Sequence, residues 1–203
     1  MCGHSLGAGT ASLLTMSLLL DQDNGDLPAP LQSSEIRAFC YAPPPTFGPL
    51  ANIPVRWNAN IRSYINGADV VPKLSLSSVY RLLKDLLAID RCAITLTERF
   101  QLIVKCLQKD EESLMRLERL VDSVSRNETE DRGHFPELFL VGKVFWINRG
   151  RREEGDTPTC QVCRADQVEM DGIKILENFI GDHFPSSYRK SFKEIREGFQ
   201  AKY

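Results

Sequence analysis

The chain has 203 residues, of which 42% are hydrophobic and 26% charged, and its formal net charge is −2 at pH 7. This composition is typical of a globular protein with enough apolar material for one core, so we expect one domain over residues 1–203. The sequence has no excess of basic residues of the kind that binds nucleic-acid phosphates. No apolar run approaches the roughly 18–20 residues that span a bilayer. We therefore predict no nucleic-acid partner and no membrane span within the sequence.

The chain opens with GHSLG at residues 3–7, a serine between two glycines, followed by small and apolar residues 8–20 that predict a buried helix. A serine hydroxyl is a weak nucleophile unless a sharp turn holds it exposed beside a base. The glycines would let neighbouring backbone approach a strained serine. Ser5 would then lie at a helix N-terminus, where the N–H of Leu6 can bond an oxyanion. Ser5 is the candidate nucleophile and Leu6 the candidate oxyanion donor.

Two strand patterns follow the first helix. Residues 21–30 are rich in turn formers and predict a surface loop. Residues 35–42 read as a mostly buried strand that ends at three prolines, and residues 60–66 as a second short strand. This alternating order of helices and strands along the chain predicts an α/β fold with a parallel sheet flanked by helices.

The second half of the chain begins with a long helical stretch. Residues 74–125 show amphipathic helical patterns, and we predict a helical insertion there, followed by a charged connector at 127–133. Residues 138–147 form the strongest remaining strand pattern, with a glycine that marks a bend. We expect residues 149–156 to form a polar hairpin loop and residues 162–170 to pair back on that strand.

Six cysteines are scattered along the sequence, and only Cys160 and Cys163 are closely spaced. Their positions are 2, 40, 92, 106, 160 and 163. One Cys-x-x-Cys pair supplies two of the four ligands of a structural zinc site, with no histidine at ligand spacing. We expect reduced thiols, with this pair on a loop or hairpin, and predict no metal and no cofactor.

A serine hydrolase of this kind needs a histidine as base, and the sequence has three. His4 adjoins Ser5 on the turn, and we expect its side chain to point elsewhere. His134 lies beside the charged connector, where its position would be poorly fixed. His183 precedes a predicted C-terminal helix and is the candidate general base, with a surface histidine at a helix start as the alternative.

The candidate acid is Asp69, because it follows directly after a predicted strand, where a carboxylate can reach the edge that carries Ser5. There it would hold the tautomer of His183 and stabilise the imidazolium. Asp182 is the rival, but it adjoins His183 and cannot easily fold back onto the same ring. For Asp182 we expect a helix-capping role.

Four sequence runs together resemble the class 3 lipases, α/β-hydrolase-fold enzymes that cleave acylglycerol esters. GHSLGAGTAS at residues 3–12 resembles their nucleophile elbow, particularly in the diacylglycerol lipase branch. AFCYAPPPTFGPL resembles the strand that ends in a small-Pro-Pro turn. DVVPK and DHFPSSY resemble the motifs that carry the triad aspartate and histidine. The resemblance implies the triad Ser5, Asp69 and His183.

The resemblance runs from the elbow to the C-terminal helix and corresponds to the second half of a class 3 lipase catalytic domain. We therefore expect a partial, N-terminally truncated α/β-hydrolase fold that lacks the strands before the elbow, the lid and the loop with the second oxyanion donor. The implied activity is hydrolysis of acylglycerols, diacylglycerol foremost, through an acyl-enzyme. The implied localisation is cytoplasmic or membrane-associated, with peripheral membrane contact by a longer parent protein.

Two alternatives remain open. The first is a catalytically silent fragment whose helical stretch, residues 74–125, binds a partner. The second is an esterase or acyltransferase that uses the same triad on soluble acyl donors, because a triad specifies acyl transfer and not the acyl group.

Overall fold

A computed structural model of the chain describes residues 1–91, 95–107, 110–113, 115–116, 119, 135–148, 158–163, 165, 168 and 178–200. The chain divides into two compact units, one formed by Met1–Ser78 with Pro136–Tyr203 and the other by Val79–Phe135. The predictions for residues 127–133 and 149–156 and for His134 lie outside the described residues. The single-domain prediction stays a prediction.

The first unit is built on a five-stranded sheet with the strands in sequence order. Its strands are β1 (Cys2–His4), β2 (Ala38–Tyr41), β3 (Ile61–Asn66), β4 (Lys143–Asn148) and β5 (Thr159–Cys163). Its first helices are α1 (Leu6–Asn24), α2 (Ala29–Gln32) and α3 (Val55–Asn60). Strands β1 to β4 pair in parallel and β5 pairs antiparallel with β4. This sheet flanked by helices is compatible with an α/β-hydrolase-like fold.

One face of the sheet packs against α1. Alternate residues of a strand point to the same face, so Ala38 and Cys40 of β2 lie on the side of Ile61 in β3. All three are fully buried in a core cluster that includes Ala8 and Leu19 of α1. The small residues at the start of α1 thus let the helix lie close to β1 and β2, directly after the serine turn.

The opposite face carries a row of stacked aromatic rings. Tyr41, Tyr64 and Phe145 are register partners on β2, β3 and β4, with ring centroids 5.0 and 5.1 Å apart in successive pairs. The last helix packs on this row through Phe192, which meets Tyr41 and Tyr64 edge-on. That helix follows a short 3-10 helix, Gly181–His183, and spans Pro185–Gln200. We number it α6, because α4 and α5, described below, precede it in the chain.

Within the described residues, the predicted helices and strands are present, with different bounds. Helix α1 continues to Asn24, into the predicted loop, because left-handed Gly25 is its C-cap and donates to the carbonyls of Asp21 and Gln22. Strand β2 begins three residues later and ends one residue earlier than the predicted strand 35–42, and α2 and α3 were not predicted.

The strand predicted over 138–147 begins five residues later than expected. Gly142 has φ +85°, and a Cβ there would overlap the carbonyl of Ile61, so the chain bends at this glycine and ladder pairing starts at Lys143. Before the bend, Phe139 forms an isolated antiparallel bridge with Phe47. The predicted bend is confirmed, and the continuous strand is wrong.

The Cys-x-x-Cys pair lies on β5, in the antiparallel pair that β5 forms with β4, so of the two predicted places, a loop or a hairpin, the hairpin is the one observed. Thr159–Cys163 is antiparallel to β4, so the predicted back-pairing occurs, starting earlier than residue 162. Residues three apart on a strand point to opposite faces, and accordingly Cys160 is exposed and Cys163 buried. Both are free thiols, as are Cys2 and Cys40.

The second unit contains most of α4 (Leu76–Arg91) and all of α5 (Leu96–Leu107), within the predicted helical stretch. The start of α5 has a capping box: Thr95 N–H donates to the Glu98 carboxylate, and Glu98 N–H donates to Thr95 Oγ1. The hydroxyl of Thr95 also donates to the Glu98 carboxylate, and the two hydrogen bonds that this carboxylate accepts from Thr95 lower the pKa of Glu98. On α4 the side chains of Val79, Leu83 and Leu87, at a spacing of four, are exposed.

Candidate active site

The serine turn connects the end of β1 to the start of α1. Ser5 has φ 57° and ψ −128°, a strained conformation for a non-glycine residue, as the sequence predicts. Its N–H donates to the carbonyl of Tyr41 at 2.9 Å, which ties the turn to the end of β2. A Cβ on Gly3 would overlap the backbone of Gly7, whereas a Cβ on Gly7 would meet nothing within 4 Å. Gly3 alone is therefore required for close approach, and Gly7 supplies the backbone that approaches it.

The second candidate residue, His183, lies directly beside the serine. Its Nε2 is 3.0 Å from Ser5 Oγ, although 178 residues separate the two in sequence. His183 is the last residue of the 3-10 helix before α6, and its N–H donates to the carbonyl of Ile180. A general base must lie about 2.6–3.2 Å from the atom whose proton it takes. The distance from Nε2 to Oγ is within that range.

The third candidate residue, Asp69, contacts the other ring nitrogen of His183. Nδ1 of His183 lies 3.1 Å from Oδ1 and 3.3 Å from Oδ2 of Asp69. The Asp69 side chain is fully buried, whereas that of His183 is 21% exposed. Because a carboxylate can only accept, Nδ1 of His183 carries a proton, and the lone pair of Nε2 faces the Ser5 hydroxyl. The geometry thus orients a proton acceptor toward Ser5.

Asp69 has two further donors that compensate its burial. Oδ1 accepts from the backbone N–H of Val71 at 3.0 Å, and Oδ2 accepts from the hydroxyl of Tyr188 at 2.7 Å. A buried carboxylate is tolerated when hydrogen bonds replace the water it has lost. Burial, and secondarily the Asp69 charge, raise the pKa of Tyr188 well above its ordinary value. Tyr188 therefore stays protonated as a donor at neutral pH.

Tyr188 was not identified from the sequence as a site residue, although it belongs to the run DHFPSSY. It lies on the first turn of α6, and its hydroxyl also accepts from the N–H of Asn66 at 3.1 Å. The Asn66 side chain in turn donates to the carbonyl of Asp182 at 3.0 Å. The one sequence feature that could have indicated a role for Tyr188 in the site is its position five residues after the candidate histidine.

Leu6 is the first residue of α1, directly after Ser5. The first four N–H groups of a helix have no carbonyl one turn earlier to bond, and they lie at the positive end of the helix dipole. The N–H of Leu6 is therefore suitably located to donate to an oxyanion formed at Ser5. Its side chain is 77% exposed beside the serine.

One neighbouring side chain, that of His4, differs from expectation, and Asp182 makes a contact that the sequence did not predict. The expectation that His4 points elsewhere is wrong: its ring centroid is 4.8 Å from that of His183, and its Nε2 is 2.8 Å from the His183 carbonyl. The Asp182 carboxylate accepts from the N–H of Ala68 at 3.0 Å, and so joins the turn before Asp69 to the residue before His183. A helix-capping role for Asp182 stays a prediction.

The described residues also bear on metal and membrane binding. Within that part of the chain, no group of three or more His, Cys, Asp or Glu side chains could hold a metal ion. Among the helices that the structure describes, none is both long and apolar enough to cross a membrane.

Comparison with known proteins gives one family match. Residues 1–79 match the family Lipase (class 3). The match supports the class 3 lipase family and, with it, a lipase-type carboxylic ester hydrolase acting on a lipid substrate. It includes Ser5, Leu6 and Asp69, whereas His183 lies outside the matched residues. Comparisons with curated proteins and with solved structures gave no significant match.

Proposed function

We propose that the chain is a serine lipase that cleaves acylglycerols, with diacylglycerol as its main substrate, through the triad Ser5, His183 and Asp69. The observation that carries the proposal is the continuous hydrogen-bond path from Ser5 Oγ through the two nitrogens of His183 to buried Asp69, at 3.0 and 3.1 Å. The class 3 lipase match over residues 1–79 is independent support for ester hydrolysis.

The mechanism follows from the proton positions. His183 Nε2 takes the hydroxyl proton as Ser5 Oγ bonds to the ester carbonyl carbon, and Asp69 stabilises the resulting imidazolium. The N–H of Leu6 donates to the oxyanion of the tetrahedral intermediate. Collapse breaks the bond to the glycerol oxygen, which takes the proton from His183. Water, activated by the same imidazole, then attacks the acyl-enzyme, releases the fatty acid and restores Ser5.

A fluorophosphonate probe tests this proposal, because it reacts covalently with an activated serine. We expect the purified chain to take one label, located on Ser5 by peptide mass spectrometry, and expect Ser5→Ala to abolish it. Ser17→Ala is the matched control, since Ser17 is an exposed serine on α1, and it should label at the wild-type rate. A folded chain that takes no label would contradict the proposal.

The preference for diacylglycerol rests on the resemblance of GHSLGAGTAS to the diacylglycerol lipase branch. Release of fatty acid from mixed micelles of mono-, di- or triacylglycerol, with a soluble ester for comparison, tests it directly. Fastest turnover of diacylglycerol would support the preference, and faster turnover of another substrate would contradict it. Access to such substrates requires contact with a lipid surface, and we propose cytoplasmic or peripheral membrane-associated localisation.

A second candidate function is partner binding by a catalytically silent chain. The observation that favours it is the exposed row Val79, Leu83 and Leu87 along one face of α4. Solution scattering and thermal unfolding distinguish the two proposals. A compact monomer that unfolds cooperatively and takes the fluorophosphonate label would remove the support for this candidate, whereas an unlabelled chain that self-associates through this row would favour it.

A further inference from the structure

The residue before the serine is joined to the backbone of the base. Nε2 of His4 is 2.8 Å from the carbonyl oxygen of His183, across 179 residues of sequence. The His4 ring also lies against the ring of His183 at 4.8 Å and meets Tyr188 edge-on at 5.9 Å. His4 therefore contacts the base through both a hydrogen bond and a ring surface.

The hydrogen bond fixes which nitrogen of His4 carries the proton. A carbonyl oxygen only accepts, so Nε2 of His4 is the donor. In His183 the contact with Asp69 requires the proton on Nδ1 instead. The two adjacent imidazoles thus have opposite neutral tautomers. This difference is specific enough to measure.

The anchored carbonyl lies where it controls the position of the base. The carbonyls of Asp182 and His183, successive in the 3-10 helix, accept from Asn66 Nδ2 and His4 Nε2, respectively. Asn66 ends β3 and His4 ends β1, so both donors lie at the carboxyl ends of parallel strands. The backbone of His183 is thereby held to the same sheet edge that presents Ser5, and the residue that holds it is covalently bonded to Ser5.

We propose that His4 is a positioning residue for the reaction of Ser5, and that its Nε2–H bond to the His183 carbonyl holds the imidazole within reach of the hydroxyl. This inference rests on the proposed function. The Ser5–His183 distance of 3.0 Å is near the upper end of the range for proton transfer. A displacement of about 1 Å costs on the order of 100-fold in rate. His4 itself transfers no proton.

Two substitutions at His4 separate its hydrogen bond from its ring. His4→Phe keeps an aromatic ring beside His183 and removes the donor, whereas His4→Gln removes the ring and keeps an N–H donor at similar reach. We expect His4→Phe to lower kcat for a p-nitrophenyl ester, and the rate of fluorophosphonate labelling, by about 10- to 100-fold with KM little changed. We expect His4→Gln to restore most of that loss.

The controls are a thermal unfolding curve for each variant and His134→Phe, the same change at the third histidine of the chain. His134→Phe should keep the wild-type rate. The inference is overturned if His4→Phe labels as fast as wild type, or if His4→Gln is no faster than His4→Phe when both are folded. A folded wild-type chain that takes no label would instead refute the proposed function, so the two failures are distinguishable.

A spectroscopic measurement keeps the inference testable should the His4 variants fail to fold. The chain has three histidines, so long-range proton–nitrogen NMR correlations can resolve each imidazole. The signal that is missing from the spectrum of His134→Phe is assigned to His134, which leaves the signals of His4 and His183. At mildly alkaline pH we expect the Nε2–H tautomer for His4 and the Nδ1–H tautomer for His183. An Nδ1–H tautomer for His4 would overturn the inference.

Discussion

The hydroxyl of Tyr188 offers the sharpest test of how the site depends on the fold, because one oxygen atom joins two parts of the site. It donates to Oδ2 of Asp69 at 2.7 Å and accepts from the N–H of Asn66 at 3.1 Å. Tyr188→Phe removes this oxygen and keeps the ring, which packs edge-on against Tyr41 and His4. The variant therefore isolates the hydrogen bonds from the packing.

The magnitude follows from the two bonds. Loss of a hydrogen bond to a charged group costs about 1.5–3 kcal/mol, and an N–H that loses its acceptor costs about 1–3 kcal/mol more. With partial relaxation we expect the free energy of unfolding to fall by about 3 kcal/mol. For a chain of this length that lowers Tm by about 6–12 °C. Labelling of Ser5 should slow by about tenfold, because Asp69 keeps His183 and Val71 as partners but is held less firmly.

The pH dependence supplies a second readout with a definite sign. Burial and the Asp69 charge raise the pKa of Tyr188 well above its ordinary 10. Unfolded tyrosine ionises at about 10, so the stability that the native hydroxyl contributes is fully present below that pH and is lost as pH rises further. The difference in unfolding free energy between wild type and Tyr188→Phe should accordingly shrink above about pH 10.

Thermal unfolding at neutral pH measures the change in Tm, and urea unfolding at neutral and alkaline pH measures the change in unfolding free energy and its pH dependence. The fluorophosphonate rate measures the change in Ser5 labelling. Tyr41→Phe is the matched control, because it removes the same atom from a half-buried ring on the same face of the sheet. We expect it to change stability by less than about 1 kcal/mol. A folded Tyr188→Phe variant that unfolds within about 2 °C of wild type and labels at the wild-type rate would show that these hydrogen bonds do not hold the site.

Two further predictions concern backbone strain and thiol reactivity. Gly67→Ala places a Cβ at φ +53° against the Asp182 carboxylate, whereas Gly25→Ala at φ +78° meets open space. Gly25→Ala should lower the free energy of unfolding by about 1–2 kcal/mol, and Gly67→Ala should lower it by more and also slow Ser5 labelling. Urea unfolding and the fluorophosphonate rate measure these effects, and an equal loss of stability in the two variants would contradict the prediction. Burial raises the pKa of the Cys40 thiol to about 12, whereas Cys2 is exposed. Iodoacetamide at neutral pH should therefore modify Cys2 and leave Cys40 unmodified until the chain is unfolded, which peptide mass spectrometry will measure. Equal modification of the two thiols in the folded chain would contradict this prediction.

The parts of the site that sequence predicted are those determined by short, local patterns. Ser5 and Leu6 follow from a glycine-flanked turn and a small-residue helix, both readable within twenty residues. Asp69 follows from its place directly after a strand, since the carboxyl ends of parallel strands share one edge of the sheet. In each case the local backbone largely determines where the side chain lies.

His183 was proposed as the partner of Ser5 and Asp69 because DVVPK and DHFPSSY resemble the family motifs for the acid and the base. The contacts that sequence did not predict also join residues far apart in the chain. His4 and His183 are separated by 179 residues, and Asp69 and Tyr188 by 119. Such pairs depend on strand register and on where α6 packs, which no local pattern specifies. The bounds of α1 and β4 were missed for a different reason: each depends on one left-handed glycine, Gly25 or Gly142. A bend was predicted at Gly142, but residue type does not show that strand pairing begins only after it.

The burial of Asp69 makes formation of the site depend on the complete folding of the first unit. A fully buried carboxylate would be costly without partners, and its partners come from three segments: its own turn through Val71, the 3-10 helix through His183, and α6 through Tyr188. Any change that detaches α6 removes the charged-group hydrogen bond from Tyr188 and lets water reach Asp69. The sheet edge could then persist while the orientation of His183 is lost. Loss of labelling is therefore expected before loss of secondary structure as the chain is destabilised, because the site requires all three segments together and the sheet does not.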